Sequence, residues 1–280
     1  MVDLHVHSTH SDGTFSPARI VEEAMWAGLS AVALTDHDTI SGNDEFLAAG
    51  AARGIDAIAG VEISAQYENP EAHGSRDGEM HILGYFPRWD AATARQLGPL
   101  AEIREGRNER NPKIIARLCE LGCDITYDEV VSHAGNDVVG RPHIAAVLVA
   151  KGYAKNSQDA FNRYLAKGAP AYLPKQIFPQ HEAVQLIARA GGIPVLAHPK
   201  MLGITGIKLL EQLVESLIGS GLRGIEVYYS VHQPAEVACY TAIAERYDLL
   251  VTGGSDFHGA NKPRIMLGRG FGTLNVPDSC

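Results

Sequence analysis

Two histidines near the N-terminus, His5 and His7, are separated by a single residue, and Asp12 follows them in a polar stretch. Alternate residues of a β-strand face the same side, so both imidazoles can point at one metal ion. Glu62 occupies an otherwise apolar run, residues 60–64, where an unpartnered carboxylate would be costly to bury. These patterns predict metal coordination.

The same combination of imidazole and carboxylate recurs along the chain, always where we predict that a strand ends. Six of the twelve histidines are involved, together with three carboxylates. The predicted metal ligands are His5, His7, Asp12, His37, Glu62, His81, His198, Asp256 and His258. Nine nitrogen and oxygen ligands exceed one tetrahedral site and indicate two or three divalent ions, with manganese, zinc or iron favoured over magnesium or calcium. The remaining histidines are assigned no metal role: His10, His73, His133, His143, His181 and His232.

Strand-length apolar runs alternate with amphipathic helical stretches, a pattern typical of α/β folds with a parallel sheet. We predict strands at residues 2–7, 31–36, 56–63, 80–86, 193–198, 222–229 and 249–254. Helices are expected at 16–28, 41–53, 179–190, 206–219 and 233–246. Seven strands suggest a distorted seven-stranded (β/α)7 barrel. Barrel enzymes carry their chemistry at the carboxyl ends of the strands.

Residues 100–176 interrupt this alternation and are predicted to form a small inserted helical cap domain, with residues 1–99 and 177–280 forming the barrel and its metal site. Short cap helices are expected at 111–121, 127–134, 142–151 and 157–167. The segment carries 11 basic and 9 acidic residues, whereas the whole chain has a net charge of -9. The cap is therefore the expected location of groups that bind an anionic substrate.

The candidate substrate-binding residues form two groups in this cap. The first group, Arg104, Arg107 and Asn108, lies in a stretch with interleaved glutamates, so a solvent-exposed helix face is an alternative role for it. The second group, Arg141 and His143, lies at the start of a helix, where backbone N–H groups can bind an anion. A purely structural helix-capping turn explains this segment equally well. The candidates are Arg104, Arg107, Asn108, Arg141 and His143.

The overall composition excludes some classes of protein. A net charge of -9 argues against a protein that coats nucleic acid through a broad basic surface. We find neither an apolar run of transmembrane length nor a signal peptide, so we expect a cytoplasmic protein without membrane association. No obligate protein partner is evident.

The ordered motifs His5-Val6-His7, Thr35-Asp36-His37-Asp38, Gly60-Val61-Glu62, His81-Ile82-Leu83-Gly84, Ala197-His198-Pro199 and Ser255-Asp256-Phe257-His258 resemble those of the polymerase and histidinol phosphatase (PHP) family. The resemblance implies a distorted seven-stranded barrel, up to three divalent ions and hydrolysis of phosphate esters. Carried onto this sequence, it implies the same nine ligands. The cap and its Gly140-Arg141-Pro142-His143 turn are similar to the branch that contains 3',5'-nucleoside bisphosphate phosphatases.

We therefore predict hydrolysis of a nucleotide phosphate monoester, the 3'-phosphate of nucleoside 3',5'-bisphosphates, by a metal-bound water. His143 and Arg141 are predicted to assist. One alternative is a 5'-to-3' exonuclease on short RNA or DNA oligonucleotides, and another is C–N bond cleavage of the amidohydrolase type. A non-catalytic nucleotide-sensing module is the third alternative.

Overall fold

The computed structural model describes residues 1–67, 78–134 and 139–280. Its strands are β1 (Val2–Val6), β2 (Ala31–Leu34), β3 (Asp56–Gln66), β4 (Glu79–Phe86), β5 (Phe178–Pro179), β6 (Ile193–Leu196), β7 (Gly224–Tyr229) and β8 (Leu250–Gly254). Its α-helices are α1 (Pro17–Trp26), α2 (Asn43–Arg53), α3 (Ala91–Gln96), α4 (Leu100–Glu120), α5 (Tyr127–Ala134), α6 (Arg141–Ala150), α7 (Ser157–Ala160), α8 (Gln180–Arg189), α9 (Ile207–Ser220) and α10 (Pro234–Arg246). Within these ranges, no helix has the length and hydrophobicity that a membrane crossing requires.

Seven strands form a nearly closed, barrel-shaped sheet in the order β1-β2-β3-β4-β6-β7-β8, which confirms the predicted fold class. The short strand β5 adds to the edge of β3. The barrel closes where β8 meets β1: the Asp256 amide donates to the His5 carbonyl at 2.9 Å, and the His7 amide donates to the Phe257 carbonyl at 3.0 Å. The first and last metal-binding motifs therefore lie side by side.

One strand departs from the expected parallel sheet. β4 runs antiparallel to both of its neighbours, β3 and β6. Residues 67–78, which join β3 to β4, include Pro70 and two glycines and have no amphipathic pattern for a crossover helix. A sequence without this pattern favours an antiparallel return over a parallel crossover.

The helical stretch between β4 and β5 also differs from the prediction in detail. α4 begins at Leu100 rather than at residue 111, and it continues through Pro112. The predicted helix 157–167 is divided into α7 and a π-helical turn, Phe161–Leu165. Helices α4 to α7 enclose an apolar core of their own, whose members include Ile114, Leu118 and Ile144. The division into barrel and cap domains stays a prediction.

Candidate metal centre and its cavities

The strands bring all nine predicted ligands to one rim of the barrel. His5 lies in β1 and Glu62 in β3, and the loops after the parallel strands supply most of the others. His81 is different, because it lies near the beginning of β4 rather than at the expected strand end. Since β4 is antiparallel, its first residues lie beside the last residues of β3, and His81 pairs with Ser64 across the two strands. The reversal of β4 is thus what carries His81 to this rim.

Glu62 lies at the centre of the cluster and is only 1% exposed. Five imidazoles approach its two oxygens. Oε1 lies 2.8 Å from His81 Nδ1 and 2.9 Å from His198 Nε2. Oε2 lies 3.2 Å from each of His5 Nε2, His7 Nε2 and His37 Nδ1. A carboxylate shared in this way is suited to bridge two ions.

The arrangement of donor atoms fits bound cations. The nine residues form four overlapping groups, and within each group the ligand atoms lie within 4.8 Å of one another. Several buried atoms in the cluster have no hydrogen-bond partner among the described residues: His5 Nε2, His7 Nε2, His37 Nδ1, Glu62 Oε2 and His198 Nδ1. Unsatisfied buried polar atoms are rare and call for a ligand. The mixture of imidazole and carboxylate suits Mn, Zn or Fe.

The pKa values of the histidines also indicate that this cluster attracts cations. Burial lowers the pKa of His7, but the carboxylates of Asp256 and Glu62 outweigh burial and raise it to about 9. Burial likewise opposes protonation of His81, yet Glu62 raises its pKa to about 10. At His37 burial prevails, and the pKa falls to about 3. The negative potential that favours protons on His7 and His81 would equally attract divalent cations.

Glu226, which sequence reasoning left outside the ligand set, holds two of the ligands in place. It is fully buried in β7. One oxygen lies 2.9 Å from His5 Nδ1, and the other accepts a hydrogen bond from the His198 backbone N–H at 2.7 Å. A carboxylate can only accept hydrogen bonds, so His5 Nδ1 carries a hydrogen, and His5 Nε2, which faces Glu62, is the nitrogen available to a metal ion.

Glu226→Gln is expected to weaken metal binding by about 10- to 100-fold, the usual effect of changing a group that orients a ligand. Glutamine has one acceptor oxygen where two are needed, so either His5 changes tautomer or the His198 amide loses its partner. Calorimetric titration with Mn²⁺ and ¹⁵N NMR of the His5 ring in metal-free protein would measure both effects. Glu245→Gln, at an exposed position of α10, is the control. Unchanged metal affinity in Glu226→Gln would contradict the assignment.

A small cavity of about 180 Å³ opens beside the metal centre, under α4. Its walls include Asp12, His37 and His81 of the metal centre. Four cationic side chains face them: Arg107, Arg110, Arg141 and Lys175. A space of this size and charge is suited to a phosphate group.

Arg110 is the most unusual of these cations. It is 7% exposed, and its Nε and Nη1 atoms have no hydrogen-bond partner among the described residues. Burial, together with the neighbouring Arg141 and Arg107, lowers its pKa to about 10, so it stays charged at neutral pH. A buried cation with unused donors is costly unless an anion binds to it.

Arg107 and Lys175 are attached to the metal-binding loop through Asp38. The Asp38 carboxylate contacts the Arg107 guanidinium and lies 3.0 Å from Lys175 Nζ. It also accepts a hydrogen bond from the Ser64 backbone N–H at 2.7 Å. Burial would raise the pKa of Asp38, but the two cations lower it instead. Because Asp38 follows His37 directly, this network fixes α4 and the segment before β5 to the rim at the metal centre.

The predicted substrate residues are distributed unevenly around this cavity. Arg107 and Arg141 line it. Arg104 is half-buried and Asn108 is exposed, and neither is among the described lining residues. His143 is buried beside the cavity, where its Nδ1 accepts a hydrogen bond from the Gly140 N–H at 3.0 Å.

Sequence reasoning assigned no role to Arg110 or Lys175. The three-residue spacing from Arg107 to Arg110, combined with a helix that starts before residue 111, would have placed both arginines on one face. Lys175 lies in an irregular segment that gives no such signal. His73, which was assigned no metal role, lies outside the described residues.

A second, larger cavity of about 660 Å³ adjoins the first and shares His37, Glu79, His81, Arg141 and Phe161 with it. Its remaining walls mix apolar and polar side chains from the cap and the barrel rim. They include Met201, Leu202, Tyr229, Lys200 and Lys262. This composition is typical of a site for an organic ligand.

Comparisons with known proteins are consistent with this geometry. Residues 3–106 match the model of the PHP domain. The chain is 34% identical, over its full length and 93% of the relative, to a 3',5'-nucleoside bisphosphate phosphatase of Chromobacterium violaceum. It is also 34% identical to a 5'-3' exoribonuclease of Haemophilus influenzae, covering 91% of this chain and 89% of the relative. A solved structure from Bifidobacterium adolescentis, provisionally named a metal-dependent phosphoesterase, superposes with a TM-score of 0.84 at 33% identity, covering 99% of this chain and 93% of that one.

Proposed function

The chain belongs to the PHP family of metal-dependent phosphoesterases, and we propose that it hydrolyses the 3'-phosphate of nucleoside 3',5'-bisphosphates. The observation that carries the proposal is the pairing of a metal centre with a separate cationic cavity. A substrate with two phosphates would place one at the centre and the other beside Arg110. Arg110 would then donate from Nε and Nη1, the two nitrogens that lack acceptors among the described residues. The C. violaceum relative bears the name of this activity.

The nine ligands would hold two or three divalent ions, which we propose to be manganese. Bound ions would supply Lewis-acid charge and lower the pKa of a coordinated water. The protein's own residues perform the rest. Glu226 and Asp38 orient the ligands, Arg110 and Arg141 hold the second phosphate, and the larger cavity receives the nucleoside. His143 is proposed to assist only indirectly, through the turn that carries Arg141.

The test is phosphate release from adenosine 3',5'-bisphosphate compared with AMP, in the presence of Mn²⁺. We expect kcat/KM to be at least about 100-fold higher for the bisphosphate, since charged hydrogen bonds to a second phosphate contribute roughly 3 kcal/mol. Adenosine 3'-monophosphate is the control, because it retains the scissile group and lacks the second phosphate. Equal rates on all three nucleotides would refute the two-phosphate site.

A second candidate is 5'-to-3' exonuclease activity on short oligonucleotides. The larger cavity is a feature that favours it, because it offers space beyond a single phosphate. Relatives of similar identity bear the name exoribonuclease. A gel assay with short RNA bearing a 5'-phosphate, against the same RNA with a 5'-hydroxyl, separates the candidates. Shortening of the phosphorylated RNA alone would assign the Arg110 cavity to the 5'-terminal phosphate of a strand.

A further inference from the structure

The oxygen through which the nucleoside leaves must lie between the metal centre and the larger cavity. It joins the reacting phosphorus, which the metal centre would hold, to the nucleoside, which needs the space of the larger cavity. This placement rests on the proposed function. A donor that stabilises charge on this oxygen must therefore both contact the metal centre and line the larger cavity.

Lys262 meets both conditions. Its Nζ lies 2.7 Å from Asp256 Oδ2, while Asp256 Oδ1 faces the histidine ligands, 3.3 Å from His7 Nε2. The lysine side chain is 39% exposed and forms part of the wall of the larger cavity. Lys262 thus occupies the boundary at which the leaving oxygen is expected.

The backbone around Lys262 is held against the metal-binding loop. Lys262 directly follows a short 3-10 turn, Gly259–Asn261. The Asn261 side chain donates to the Asp12 carbonyl at 2.7 Å, and the Ala260 N–H donates to Thr14 Oγ1 at 2.8 Å. The position of Lys262 relative to Asp12 is therefore fixed by two hydrogen bonds outside its own side chain.

Two neighbouring donors in the barrel wall are already committed. The single hydroxyl hydrogen of Tyr229 is donated to Asp256 Oδ2 at 2.7 Å. Lys200 has three acceptors for its three hydrogens: the Val231 carbonyl at 3.1 Å and the two oxygens of Glu236 at 2.7 and 2.8 Å. Lys262, by contrast, has Asp256 as its hydrogen-bond partner in the described part of the chain. It retains N–H donors that can point into the cavity.

We propose that Lys262 is a catalytic residue whose ammonium group donates a hydrogen bond to the leaving oxygen of the nucleoside. In the step, a water gives one proton to solvent, its oxygen bonds to phosphorus, and the bond from phosphorus to the bridging oxygen breaks. The bonding electrons stay on the nucleoside oxygen, which then takes a proton from solvent. Lys262 contributes a fixed positive charge and keeps its own proton. Such a charge acts where negative charge develops in the transition state.

The experiment compares adenosine 3',5'-bisphosphate with its 3'-S-phosphorothiolate, in which sulfur replaces the bridging oxygen. Lys262→Met should lower kcat about 100-fold on the oxygen substrate, the typical effect of removing one such donor, with KM little changed. On the sulfur substrate, the kcat of Lys262→Met should stay within about threefold of that of the unsubstituted enzyme, because a thiolate leaves without this stabilisation. Lys262→Arg, which keeps the charge, should recover part of the lost activity.

Lys200→Met is the matched control, since it removes a lysine from the same cavity whose hydrogens are all committed. It should affect both substrates alike. Equal losses on both substrates in Lys262→Met would overturn the proposal. Metal analysis gives a readout apart from turnover: loss of metal from Lys262→Met would assign the lysine to holding Asp256 and also overturn it. If bisphosphates are not substrates, the comparison is repeated with whichever nucleoside phosphate is hydrolysed and with its analogue in which sulfur replaces the bridging oxygen.

Discussion

Glu62→Gln is expected to abolish binding of at least one metal ion and to lower kcat/KM about 1,000-fold or more. Glu62, in β3, lies within 3.2 Å of five imidazoles, which belong to β1, to β4 and to the loops after β1, β2 and β6. Glutamine has the same shape but lacks the charge that a bridging ligand supplies. Metal ions contribute several kcal/mol of transition-state stabilisation, and each 1.36 kcal/mol corresponds to about tenfold in rate.

Metal content by mass spectrometry and phosphate release at saturating Mn²⁺ measure the two effects separately. Glu226→Gln is the variant for comparison, because it changes a carboxylate that orients the ligands rather than a predicted ligand. The structure predicts the larger loss for Glu62→Gln. Full metal content with parental activity in this variant would show that the carboxylate does not bridge ions.

Arg110→Met is expected to lower kcat/KM for the bisphosphate about 100-fold while leaving the activity on a 3'-monophosphate nearly unchanged. The loss corresponds to roughly 3 kcal/mol of charged hydrogen bonding to the second phosphate. Methionine fills a similar volume, so the cavity keeps its shape. Steady-state kinetics on both nucleotides measure the difference.

The same change should not harm the fold. A buried guanidinium with unsatisfied nitrogens is costly, and replacing it with an apolar side chain is often neutral or stabilising. The free energy of unfolding of Arg110→Met is therefore expected to stay constant or to rise by about 1 kcal/mol, as measured in urea. Arg104→Met is the matched control on α4, since Arg104 is half-buried outside the cavity lining. A drop in stability with equal losses on both nucleotides would show that Arg110 is structural.

The metal centre could be predicted from the sequence because its residue types carry local signals. His5 and His7 have strand spacing, and Glu62 is conspicuous within an apolar run. The contacts of Glu226 with His5 and the His198 amide could not be predicted this way, since they depend on the barrel placing β7 beside β6 and within side-chain reach of β1. Lys262 was missed for a similar reason: only the closure of the barrel brings its turn against the Asp12 loop.

The boundaries of α4 show why the cap was harder to predict. The predicted helix started at residue 111, a position that agrees with the preference of a proline such as Pro112 for the first turn of a helix. In the structure the helix extends eleven residues further toward the N-terminus, from Leu100, and includes the proline in its interior. The packing of Leu100 and Ile103 in the interior outweighs the local preference. Starting the helix too late concealed the shared face of Arg107 and Arg110.

The continuity of α4 also bears on how this protein and its relatives can diverge. Leu100, at one end of the helix, packs in the core of the barrel, whereas Ile114 and Leu118, toward the other end, pack in the core of the helices above it. Arg107 and Arg110 lie between these two attachments. Replacement of the sequence between residues 121 and 171, by evolution or by a protein engineer, would therefore remove Arg141 but keep Arg107 and Arg110 beside the metal centre, so that the substrate range could change while two of the cavity's arginines stay in place.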